Sequence, residues 1–95
     1  MNREQETTIM SFQGCLADAR HEAGALSRDQ TGWEGLERPE DPAELLAVLE
    51  SNIEEFASYS HVYHWLDDMY EAKLCRKNLA AVRRIAKDLK SAVAA

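Results

Sequence analysis

Ile9, Phe12, Leu16, Ala19, Ala23 and Leu26 recur at steps of three and four residues. That spacing puts them on one narrow face of an α-helix and predicts a helix over residues 3–26. Cys15 and Met10 flank the seam, and Asn2 with Gln5 offers a cap at its start, with Thr7 or Thr8 as later alternatives. Gly14 and Gly24 each lower helix propensity by about 1 kcal/mol relative to alanine. Gly14 also leaves room for a close neighbour.

The apolar pattern then stops. Residues 27–40 carry Gly32, Gly35 and Pro39 among polar positions, and read as a loop, long for so small a domain. Trp33 and Leu36 sit inside it. Two outcomes are open for them: both fold back to cap the helices, or Trp33 stands out as an aromatic anchor for a partner. The next boundary is the clearest in the chain. Asp41-Pro42-Ala43-Glu44 sets Asp at N-cap, Pro at the first helical position and Glu at the third. It opens a helix over 42–58, whose broad apolar face is Leu45, Leu46, Val48, Leu49, Ile53, Phe56 and Ala57. Glu44, Glu50, Glu54 and Glu55 lie outside that face.

From Ser60 to the end there is neither Gly nor Pro, so helix is the natural reading. On a helical wheel Val62, Tyr63, Trp65, Leu66, Met69 and Tyr70 cluster near about 20°, whereas Cys75, Leu79, Val82, Ile85, Ala86, Leu89 and Val93 cluster near about 200°. One straight helix with one apolar face does not accommodate both. The pattern therefore predicts helices over 61–76 and 78–93 with a break near Leu74–Asn78, or one long helix with its far end on a second surface. The expected fold is all-α: a small antiparallel bundle of three helices, four if the break occurs, in one domain. A chain of 95 residues buries a modest core, and oligomerisation is a common remedy.

Charge sharpens this picture. The net charge is −6, which disfavours nucleic acid as a partner of the whole chain. Yet residues 73–95 hold seven basic residues against one acid, Asp88, while the remainder holds four basic and sixteen acidic ones. The basic residues of the last helix fall opposite its apolar stripe. They are placed to meet the acidic outer face of the second helix in another copy. A duplex-DNA contact through the same stripe is the alternative, although no helix-turn-helix spacing accompanies it.

Little in the chain points to catalysis. His61, His64 and Asp68 share a helix face and are ligand types for zinc, but the spacing matches no metal motif, and no metal or cofactor is expected. Gly32-Trp33-Glu34-Gly35 lacks the Lys-Ser/Thr of a phosphate loop. Cys15 and Cys75 read as two thiols in a reducing cytosol; a bridge between them is possible without being argued for. The polar N-terminus and the lack of a long apolar run predict a cytoplasmic protein that does not enter a membrane.

The resulting expectation is a non-enzymatic regulatory or adaptor protein that acts by binding another protein. One form is an inhibitor or antiactivator occupying a regulator's interface. The expected interface is Leu79, Val82, Ile85, Ala86, Leu89 and Val93, with Tyr63, Trp65, Tyr70 and Trp33, and the expected state is a homodimer. Besides the DNA-binding regulator, a secretion-chaperone-like effector binder is compatible with the composition.

Overall fold

The computed structural model describes residues 1–59 and 70–95, with side chains in the second stretch from residue 73 onward. Tyr63 and Trp65, the His61–His64–Asp68 cluster, the first half of the helix expected over 61–76 and the side chain of Tyr70 lie outside the described residues. Among the described residues three helices, α1 (Arg3–Glu22), α2 (Pro42–Ser58) and α3 (Tyr70–Ala94), pack against one another pairwise.

The two ends of α1 and the start of α2 have local causes. At the head of α1 the Asn2 side chain accepts from the Gln5 backbone N–H at 2.8 Å, and the Gln5 side chain accepts from Asn2 N–H at 3.0 Å. This reciprocal box satisfies two donors the helix cannot. The helix ends at Glu22, four residues before the expected Leu26. Gly24, at φ +65°, turns the chain left-handed. The Ala25 N–H then reaches back to the Arg20 carbonyl at 3.0 Å, and the Gly24 N–H to that of His21 at 3.1 Å. This glycine-terminated cap closes the last turn. Helix α2 starts as its sequence dictates, with Asp41 accepting from the Glu44 N–H at 3.1 Å and Pro42 in the first turn.

Helix α3 runs unbroken through Leu74–Asn78, so of the two alternatives at that point the unbroken helix is the one that forms. With no Gly or Pro to interrupt it, continuous backbone hydrogen bonding prevails. Its apolar face is also not left for a second surface. Val82 is fully buried, Ile85 and Ala86 are buried, and Leu79 and Leu89 pack partly buried against the same core. That core is built on Ile9, Phe12 and Leu16 of α1 and Leu49 and Phe56 of α2, with the Phe12 and Phe56 rings 5.3 Å apart. The stripe expected to meet a partner is therefore the chain's own third wall. Of that stripe only Val93, 42% exposed near the C-terminal end of α3, stands clear.

Cys15 of α1 and Cys75 of α3 form a disulfide across a Cα–Cα distance of 5.7 Å, which corrects the reading of two reduced thiols. The two cysteines are buried. Beside them Asn78 Nδ2 donates to Ser11 Oγ at 2.7 Å. The covalent link and this hydrogen bond fasten the same stretch of α3 to the middle of α1.

Candidate functional site

Among the described residues the loop after α1 is densely hydrogen-bonded, and one arginine organises it. Arg20 sits in the last turn of α1. Its Nε and Nη2 donate to the two carboxylate oxygens of Glu55 on α2, at 2.6 and 2.8 Å. This is the bidentate geometry that suits guanidinium and carboxylate. Its Nη1 donates to the carbonyls of Gly32 and Glu34, at 2.8 and 2.6 Å. One side chain thus ties two helices and the loop together. Tyr59 completes the group, its hydroxyl donating to Glu55 Oε2 at 2.9 Å.

The electrostatics follow from these bonds. The hydrogen bonds from Arg20 hold the Glu55 carboxyl below the usual carboxylate range, against a smaller opposing effect of burial. The Glu55 partner raises the Arg20 guanidinium further above its already high value. Burial, then the bond to Glu55, raises the Tyr59 phenol.

The loop has a second fastening of its own. The Glu34 carboxylate accepts from the backbone N–H groups of Thr31 and Gly32 at 2.8 and 2.9 Å, and from the Thr31 hydroxyl at 3.2 Å. The Thr31 amide is the leading cause of that carboxyl's lowered pKa. His21 Nε2 lies 2.8 Å from the Thr31 carbonyl, which only accepts, so this nitrogen carries the hydrogen. Gly32 makes the close approach possible. A Cβ there would lie 3.1 Å from the Ala17 carbonyl oxygen and 3.2 Å from His21 Nε2, and its φ of +99° disfavours any other residue.

This clamped loop separates its two apolar residues. Leu36 turns inward and is buried in the core, whereas Trp33 is left 52% exposed. The indole lies along the outer side of α1, its Cη2 3.7 Å from where a Cβ on Gly14 would stand. Met10, four residues before Gly14 and so on the same side of α1, is 60% exposed. Trp33 is thus an aromatic side chain held in place by a rigid backbone with much of its surface open.

Of the residues singled out from sequence, Trp33 and Val93 are exposed, and Leu79 and Leu89 are half-buried. Val82 and Ile85 are enclosed by α1 and α2, and Ala86 is buried. The Arg20–Glu55–Tyr59 group was not legible: Arg20 and Glu55 are 35 positions apart, and Glu55 reads as one more acid on an outer face. The Glu34 fastening did leave a trace, since Thr31-x-x-Glu34 has the spacing of a capping box.

A second feature is electrostatic. Lys73, Lys77, Arg83, Arg84, Lys87 and Lys90 all lie exposed along α3, and Glu44, Glu50 and Glu54 lie exposed along α2. No group of three or more His, Cys, Asp or Glu able to hold a metal ion occurs among the described residues. No described helix is long and apolar enough to cross a membrane. Comparison with protein-family models, curated proteins and solved structures finds no match to this chain.

Proposed function

We propose that this chain is a small regulatory or adaptor module that works by binding another protein rather than by catalysis, and that Trp33 is its anchor. The observation that supports this is the pairing of exposure with rigidity. Trp33 is half-exposed on a loop fixed from both sides by Arg20 and Glu34. A tryptophan is among the side chains that most often dominate binding energy. Ordering its loop in advance removes a large part of the entropy that docking otherwise loses. Met10 and the bare Gly14 backbone beside it extend the apolar contact.

The homodimer expected from the α3 apolar stripe loses that route, because the stripe is internal. The disulfide likewise removes the reduced thiols on which the cytoplasmic expectation partly rested. The runner-up, a nucleic-acid contact through the cationic face of α3, is disfavoured by the exposed acids on the adjacent helix α2 and by the net charge of −6.

The test compares proteins retained from the native cell by immobilised wild type and by Trp33→Ala. The variant is expected to keep its circular dichroism and melting temperature while losing the specifically retained species. Retention of the same species by folded Trp33→Ala would refute the assignment.

A further inference from the structure

The two charged faces of α2 and α3 are each unfavourable in the isolated chain. Along α3, Lys73–Lys77 and Arg83–Lys87 are like-charge pairs four residues apart, and Arg84–Lys87 and Lys87–Lys90 pairs three apart. Such pairs weaken a helix. None of these six residues makes an ion pair among the described residues, and Asp88 is the one acid from residue 73 onward. On α2 the position is inverted. Glu50 and Glu54 repel one another four residues apart, and no basic residue stands in the last turn of α2 to balance Glu54 at the negative end of the helix dipole. No Lys or Arg occurs between Pro39 and Ala72.

The acidic run from Glu44 to Glu54 spans about 15 Å and fits within the cationic run from Lys73 to Lys90, about 25 Å. Small residues sit within each: Ala43 and Ala47 on α2 and Ala80 on α3 are exposed, which lets the two helices come close. Because α2 and α3 are packed neighbours, each molecule carries exposed charge of both signs on adjacent helices. A partner of one sign would meet attraction and repulsion together. A second copy related by a two-fold axis sets α3 on the partner's α2 and α2 on the partner's α3, and neutralises both.

We propose that the chain self-associates in this reciprocal way, through the cationic face of α3 and the acidic face of α2. This goes beyond the Trp33 reading and is independent of it, since Trp33 lies on the loop beside α1. The contact is electrostatic and mostly polar, so it is reversible and salt-dependent.

Sedimentation velocity on the intact, oxidised protein tests it. The dissociation constant of the dimer should rise about tenfold or more between about 0.05 M and about 0.5 M salt. Arg83→Glu/Arg84→Glu/Lys87→Glu should be monomeric, and so should Glu44→Lys/Glu50→Lys/Glu54→Lys, both with unchanged helix content because the positions are exposed. An equimolar mixture of the two variants should form a heterodimer, since every reversed face then meets its opposite. Trp33→Ala should dimerise as wild type. A wild type that stays monomeric at low salt and high micromolar concentration would overturn the proposal, as would a dimer indifferent to both reversals. A monomer whose α3 face instead binds a fluorescent duplex DNA at low salt would also overturn it, in favour of a nucleic-acid role.

Discussion

Arg20 and Glu55 close a two-pronged ion pair between the end of α1 and the end of α2, and the same guanidinium holds the loop carbonyls of Gly32 and Glu34. The arginine side chain is 12% exposed and the glutamate 30%, so removing one partner leaves the other poorly solvated. Arg20→Met should lower stability by about 2–3 kcal/mol. It should also speed amide hydrogen exchange at Thr31, Gly32 and Leu36, whose loop loses its main fastening. A denaturation curve and an exchange measurement on the same variant check both effects.

The pair also sets an acid limb to the stability profile. Glu55 is held below its ordinary pKa. Its contribution is therefore complete above the unfolded-state value, about 4.3, and is lost as pH falls through the lower folded-state value. Tyr59 has the opposite sign. Its raised pKa means a contribution complete below about pH 10 and lost as pH rises through the folded-state value. Stability measured against pH should show a shallower acid slope in Glu55→Gln and a shallower alkaline slope in Tyr59→Phe.

The Cys15–Cys75 bridge closes a sequence separation of 60 residues. On the chain-entropy account a loop of that size contributes about 4 kcal/mol by restricting the unfolded chain. The Cys15→Ala/Cys75→Ala variant should therefore unfold at markedly lower urea concentration than the oxidised wild type. Urea titration of the two proteins in parallel gives the difference directly.

Position along α3 should decide the effect of a polar substitution. Val82 is fully buried and Val93 is 42% exposed. Val82→Asp should abolish cooperative unfolding, because an unpaired carboxylate is forced into the core. Val93→Asp should change stability by no more than about 0.5 kcal/mol. Thermal melts of the pair separate an internal stripe from an external one.

Asn52 is 3% exposed, and its Nδ2 has no hydrogen-bond partner among the described residues. A buried donor left unsatisfied is unfavourable, and leucine has a similar shape without it. Asn52→Leu should raise stability by about 1 kcal/mol, measured by chemical denaturation.

Local signals in this chain were sufficient for local structure. Asp41-Pro42 opened α2, Asn2 with Gln5 opened α1, and the glycines of residues 27–40 marked the loop. Caps and turns involve residues within a few positions of one another, so their chemistry is written in adjacent letters. The end of α1 shows how narrow the margin is. The apolar seam continues to Leu26, but Gly24 reverses the backbone first, and a left-handed residue outweighs one more apolar position.

What needed the folded molecule was every relationship across a long separation. Periodicity identified an apolar face on α3, but a stripe carries no mark of which surface covers it. Only the packing of α1 and α2 against Val82 and Ile85 showed that the cover is the chain itself. The same holds for Cys15 with Cys75 and for Arg20 with Glu55. Each member looks ordinary in sequence and acquires its role from a neighbour tens of residues away. Trp33 shows both sides at once: its loop was plain from the glycines, and its exposure was set by the guanidinium and carboxylate that pin the backbone on either side of it.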